Sequence, residues 1–416
     1  MPLQKQGMTL VDAPCAVPPR RVEKLLVHSG FALAGVITVI LGPMLPILMT
    51  RWSLNDERAG LFFTLQFCGN LLGLALLGPL ISRRGYGQTL GLGFILIAMG
   101  IGALNLSSQT ICLIATAVFG WGLGLVLAAI NLWVAETAGT GRATALSIAN
   151  LVWGVGALAC PALVLVANRS HRLEILLLCL AGFALLHAVA LASMNLSPRN
   201  QRSEKKEKLR IEWRFVKAIL ILGSLFFLYC GTESAIGGWA AALAKRLGSD
   251  SGNLWELAPM LFLLGLLAGR AASPLVFRRV SERTVLILGL MLAVVCNASL
   301  LWIRSLGGAA IPLAGVGLGF AAVFPLLVAS TVGMFGDQAK RLGPITFAGA
   351  NLGGATIPWL IGFTSTRTGS LQAGLLVPLV CCLLMIALVQ LLNGAGRRLT
   401  DPDMLIAPGD SAAGNQ

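Results

Sequence analysis

The chain has 416 residues, 56% of them hydrophobic and only 12% charged, against roughly 25% charged in soluble domains, which excludes a water-soluble globule. Its formal charge of +14 does not point to nucleic acid, because the basic residues gather in short stretches between apolar runs, the pattern that membrane orientation produces. Those runs, about 20 residues each, recur from end to end and are long enough to cross a ~30 Å hydrocarbon core as helices.

In chain order, residues 1–24 form a polar tail with Lys5, Arg20, Arg21 and Lys24. It is too long and proline-punctuated for a signal-peptide start, so the first span is expected to be kept. Spans are expected at 25–49, 59–82, 87–106, 110–136, 143–168, 174–195, 215–245, 253–277, 284–304, 307–335, 342–366 and 370–392. This predicts an all-α membrane protein with twelve transmembrane helices in two pseudo-symmetric six-helix bundles, 25–195 and 215–392. The charged stretch LSPRNQRSEKKEKLRIEW, beginning at Leu196, marks a linker over 196–214, and residues 393–416 form a second tail. The nine cysteines show no ligand or disulfide spacing and read as small core residues.

Counting Lys and Arg on alternate sides of the twelve spans gives 22 on the side of both tails and the linker, and 8 on the other. The excess places both termini in the cytoplasm, with the chain in the cell (inner) membrane. The halves also repeat each other. A shift of 195 residues lays Gly42 and Arg51 on Gly237 and Arg246, Pro79-Leu80 on Pro274-Leu275, Arg83-Arg84 on Arg278-Arg279, and Gly120, Gly122 and Gly124 on Gly315, Gly317 and Gly319. Further on, Ala149-Asn150-Leu151 answers Ala350-Asn351-Leu352. An even number of spans separates the copies, so they are parallel repeats, the arrangement of transporters whose site lies near the midplane between halves.

Ionisable groups in a membrane core cost roughly 2.5 to 3.5 kcal/mol on insertion scales and mark functional interiors. Three stand out. Glu233, within YCGTESAIGGW (Tyr229 to Trp239), lies near mid-membrane, Arg270 in the inner third of the eighth span, and Glu136 near the inner end of the fourth. Tyr229 and Glu233 are one helical turn apart, and Thr232 and Ser234 add hydroxyls. Glu233 is expected to bind solute hydroxyls or a coupling cation, the alternative being a protonated carboxyl that pins the seventh span to a neighbour. Gly237-Gly238 is a hinge candidate or a packing contact, and Trp239 offers an aromatic face. Arg270 has no acid one turn away in its own helix; its expected partners are Glu136, as an inner gate, or lipid phosphates and helix-end carbonyls.

Uncharged polar residues mark further cavity faces: Gln66 and Asn70 in the second span, Asn131 in the fourth, Ser147, Asn150 and Trp153 in the fifth, and Asn351 in the eleventh. Amides and an aromatic face suit a sugar; the same amides also serve as glue between helices. The three histidines have no metal spacing. With no phosphate loop and no nucleophile–base pair, neither an enzyme nor a cofactor is expected.

The chain resembles the major facilitator superfamily in its twelve spans, its repeat, and the loop GPLISRRGYG (Gly78 to Gly87), which is similar to that family's signature between the second and third spans. Ser82 stands at the signature's acid, which puts a gating salt bridge there in doubt and leaves Arg83 and Arg84 as its basic part. A narrower resemblance is to the fucose-permease-like branch of sugar–cation symporters. It rests on GLGLVLAAIN (Gly122 to Asn131), YCGTESAIGGW, Gly269-Arg270, Phe324-Pro325, and Gly353-Gly354-Ala355 with Pro358. Leu127 stands where that branch has a fourth-span acid, and the first span has none, so coupling through those two sites does not carry over. The resemblance implies a monomeric secondary transporter moving a small polar solute, with a monosaccharide symported with H⁺ or Na⁺ as the leading reading. The alternatives are an exporter of drugs or metabolites, and a non-transporting membrane sensor.

Overall fold

The computed structural model describes residues 20–138, 141–194, 196, 213–248 and 252–400; the linker between the halves lies almost wholly outside them. The first span is α1 (Arg21–Val39) and α2 (Leu41–Trp52), broken at Ile40. Pro43, with no N–H to return to Val39, explains the break. Next comes α3 (Asp56–Ala103), capped by the Asn55 side chain accepting from the Arg58 N–H, with Asp56 and Glu57 in its first turn.

The α3 helix contains two passages. Its first part runs parallel to α4 (Gln109–Thr137), with Gly69 against Ala117 and Gly73 against Trp121. The second runs antiparallel, with Gly93 against Gly122 and Gly100 against Ala115. The reversal is at Gly85, whose φ of 74° and ψ of 176° suit glycine alone. Then follow α5 (Arg142–Arg169), α6 (Leu173–Ala192), α7 (Trp213–Leu247), a short 3-10 turn (Gly252–Leu257), α8 (Ala258–Val276) and α9 (Glu282–Leu300). The tenth span is α10 (Leu306–Phe320) and α11 (Val323–Phe335), broken ahead of Pro325. The eleventh is α12 (Ala339–Thr368), and the twelfth α13 (Leu371–Gly374) with α14 (Leu376–Thr400).

Among the described residues ten helical stretches are long and apolar enough to cross a membrane. The second passage of α3 and the more polar α12 complete twelve. Both bundles pack alike, α1 on α5 as α7 on α12, and α4 on α3 as α10 on α8 and α9. Small residues set those contacts. A Cβ at Gly35 would lie 2.1 Å from the Trp153 carbonyl, and one at Gly353 would lie 1.9 Å from that of Phe227, so only glycine admits such close helix approach.

The α7 helix runs unbroken through Gly237-Gly238, which serve here as the packing contact, the other of the two readings. These glycines let the other bundle in: a Cβ at Gly238 would meet the Phe63 ring at 2.6 Å, and Gly237 lies against Gly42. The breaks fall at Ile40, at Ala321-Ala322 and at Leu375, each just ahead of a proline.

The halves are joined at the end opposite the chain's start, called here the far end. Asp56 forms a bidentate ion pair with Arg246, its second bond 2.9 Å, and also accepts from the Ser365 hydroxyl. Lys245 donates to Thr50 (3.0 Å), Asn168 to Glu256 (2.7 Å), and the Glu57 N–H to Thr366 (2.9 Å). Closer to the middle, Thr64 donates to the Ala355 carbonyl (2.7 Å), in the turn that Pro358 disturbs by lacking an N–H. At the tail end Arg83, Arg84 and Glu136 are exposed, and so is Asn150 two turns into α5.

Candidate functional site

Glu233 and Tyr229 lie on one side of α7, as their spacing predicts. The α8 helix brings Arg270 beside them, and its Nη2 stands 3.7 Å from Glu233 Oε1. That is an ion pair but too long for a hydrogen bond. The two side chains keep 22% and 29% exposure, so the pair borders open space in mid-span. Tyr229 is fully buried and close enough to feel both charges. Its ring meets Phe320 edge-on at 5.5 Å and Phe324 at 6.1 Å, on either side of the break in the tenth span. The Tyr229 hydroxyl lies near both Glu233 and Arg270, but neither it nor the Arg270 Nε–H makes a hydrogen bond of full geometry. A buried unpaired donor costs about 1–3 kcal/mol, so this corner holds two donors waiting for an acceptor.

In this arrangement, closed at the far end, Arg270 pairs with Glu233 and stands apart from Glu136, the candidate partner for an inner gate. Glu136 sits exposed at the tail end of α4, turned to the Tyr86 phenol, while Glu233 lies nearer to the guanidinium. Thr232 faces away from Glu233, toward Cys381 of the last span. Arg83 and Arg84 lead exposed into the Gly85 reversal.

Opposite the pair, Gly154 of α5 touches Leu267 of α8. One turn toward the tail end from that contact lie Asn150 on α5 and Arg270 on α8, so residues of the two halves share a level. Asn150 also falls between the lines along which α5 meets α1 and α8, which turns it to the interface. Its amide donates to its own helix at Leu146 (2.8 Å), as Asn131 does to Leu127 (2.9 Å), leaving the amide oxygens to a partner. The buried indole N–H groups of Trp121 and Trp153 have no acceptor. Asn351 is half-buried on the side of α12 that carries Gly354, which abuts Phe67 of the other bundle, and Asn70 Oδ1 lies against Gly124.

Two expected cavity residues are structural in this arrangement. Gln66 is buried and donates to the Thr38 carbonyl (3.0 Å), tying the second span to the first. Trp239 is buried, donates to the Pro358 carbonyl (2.8 Å) and lies tilted on Phe63 at 6.4 Å. The sequence reading missed the Asp56–Arg246 pair, although Arg246 belongs to the internal repeat and Asp56 opens a helix. Acids at a span's first turn look like ordinary helix-start residues, and nothing in a sequence pairs two helix ends 190 residues apart.

A family model described as Major Facilitator Superfamily matches residues 27–349. The chain is 19% identical over 354 residues to the glucose/mannose transporter GlcP of Bacillus subtilis, covering 81% of this chain and 86% of that protein. Three solved structures share the fold. The Escherichia coli fucose:proton symporter is 16% identical, with a TM-score of 0.59 over 89% of this chain and 98% of its own. A D-xylose-proton symporter is 17% identical, with a TM-score of 0.72 over 87% and 96%. A bacterial homologue of the human lysosomal transporter Spinster, inward-facing and occupied, is 14% identical, with a TM-score of 0.72 over 92% and 98%.

Proposed function

We propose that this chain, which belongs to the Major Facilitator Superfamily, is a proton-coupled transporter of a monosaccharide or a close polyhydroxylated relative, with Glu233 as its proton site. The observation behind this reading is the Glu233–Arg270 pair in mid-span beside the Tyr229 hydroxyl, with unpartnered indole N–H groups of Trp121 and Trp153 in the other half. Hydroxyls of a sugar would satisfy those donors and the amide oxygens of Asn150 and Asn351, and the indoles offer an aromatic face. The glucose/mannose and fucose relatives agree with that class of solute.

A proton is preferred over Na⁺ as the coupling ion. The guanidinium already stands where a metal cation would approach the carboxylate, whereas a proton needs only the carboxylate's lone pair. Protonation releases Arg270 from Glu233, and solute binding then occurs at a changed electrostatic site, a linkage that works in both directions. With the termini cytoplasmic, as the basic-residue bias indicates, the far end faces outward and its Asp56–Arg246 contacts close the outer side.

Purified protein in proteoliposomes tests the reading with a panel of labelled monosaccharides and their oxidised acids under an inside-alkaline gradient. Accumulation of at least one member, undiminished when choline replaces Na⁺, is expected. Glu233→Gln is expected to abolish accumulation while sparing solute exchange across the membrane. Stabilisation by amphipathic cations alone would overturn the reading in favour of drug export.

A further inference from the structure

The charges at the site constrain the solute more narrowly than its hydroxyl recognition does, provided that the transport reading above holds. Glu233 and Arg270 together are close to neutral when both are ionised. A proton on Glu233 leaves Arg270 as an uncompensated positive charge, held mostly inside the protein and opposed to burial. Apart from Glu233, the titratable groups that face this guanidinium are the Tyr229 phenol and the Cys230 thiol, and aromatic rings of the tenth span close the other side of Tyr229. A neutral sugar does not restore the balance.

We infer that the solute carries a carboxylate, so that a sugar acid enters together with one proton, its carboxylate taking Arg270 as the proton takes Glu233. The geometry suits this exchange. Arg270 has an unpartnered Nε–H and a loosely held Nη2, the two donors along one edge of a guanidinium that grip a carboxylate in a fork. The Tyr229 hydroxyl stands beside them, near both Arg270 and Glu233 but without a hydrogen bond of full geometry, and is a third donor once Glu233 is protonated. Proton alone leaves a net positive site and anion alone a net negative one, while the two together leave it neutral, so each raises the affinity for the other. A far-end cavity of about 630 Å³ has Arg51 and Lys245 in its wall against the single acid Glu174 among its lining residues, a balance that favours anions.

The test uses the full chain in proteoliposomes with labelled D-gluconate and D-glucuronate against D-glucose and D-mannose. The acids are expected to accumulate under an inside-alkaline gradient. Their uptake should be indifferent to a valinomycin-set potential, because one positive and one negative charge move together. Arg270→Gln should abolish it, and Arg270→Lys should leave a small remainder. Should Arg270→Gln fail to fold, tryptophan fluorescence titration with gluconate decides. Wild-type affinity should fall about ten-fold per unit of rising pH once Glu233 ionises, and Glu233→Gln should bind with no such fall. Accumulation of neutral sugars with no binding of either acid would overturn this inference and leave the transport reading standing. Failure of both classes to accumulate would overturn that reading as well.

Discussion

Tyr229 and Glu233 share a helix face because they are four residues apart, and the sequence makes that plain. The Arg270 guanidinium that completes their corner comes from a different helix, and no local pattern says which acid in mid-membrane it will meet. Its pairing with Glu233 leads to a prediction about stability. Removing one member of a buried pair strands the other, at a cost of about 3–5 kcal/mol, while removing both is often nearly neutral. Arg270→Gln and Glu233→Gln should each lower the melting temperature in detergent, Glu233→Gln more so, because the guanidinium it strands cannot shed its proton whereas the carboxyl stranded by Arg270→Gln can take one up. The double variant should recover at least half of the larger loss. Additive losses in a thermal melt would show that the two groups act independently.

At the scale of elements, apolar lengths and the internal repeat gave the twelve passages. Gly237-Gly238 was a plausible hinge on composition, yet α7 stays helical there. Glycine permits a break but does not impose one, whereas proline, lacking an N–H, removes a bond outright. The breaks come three residues ahead of Pro43, Pro325 and Pro378, although Pro161 and Pro274 sit inside continuous helices, and the break ahead of Pro325 lies between the two phenylalanines that hold the Tyr229 ring. Close helix approach in the C-terminal bundle depends on Gly353, where an added Cβ would overlap the Phe227 carbonyl at 1.9 Å. Gly353→Val should force α7 and α12 apart, costing about 1–3 kcal/mol as overpacking does. A broadened or lost monodisperse peak in fluorescence size-exclusion is expected. Gly182→Val, at a glycine with nothing near its Cβ, should behave as wild type.

At the scale of the whole molecule the two bundles are held closed at the far end, and this contact was the least legible feature in the sequence, because it joins the ends of two distant helices through the fold alone. Asp56 is buried, gripped by both arms of Arg246 and by Ser365. It therefore belongs to the closed arrangement, and alternating access requires that these bonds part when the far end opens. A ligand or mutation shifts such an equilibrium only by its difference in energy between the two states. Charge-assisted hydrogen bonds run to about 1.5–3 kcal/mol, which corresponds to a shift of roughly ten-fold or more toward the far-end-open state when they are lost. Ala59, fully buried where α3 meets Trp359 through its neighbour Gly60, is a small reporter of that opening. In a background without native cysteines, Ala59→Cys should react slowly with a membrane-impermeant maleimide added from the far side. Adding Asp56→Asn should speed the reaction several-fold, and Arg246→Lys should have a smaller effect, because it keeps the charge and loses the fork. Unchanged labelling in the Asp56→Asn background would mean that packing between α3 and α12 holds this end shut and that the ion pair is incidental.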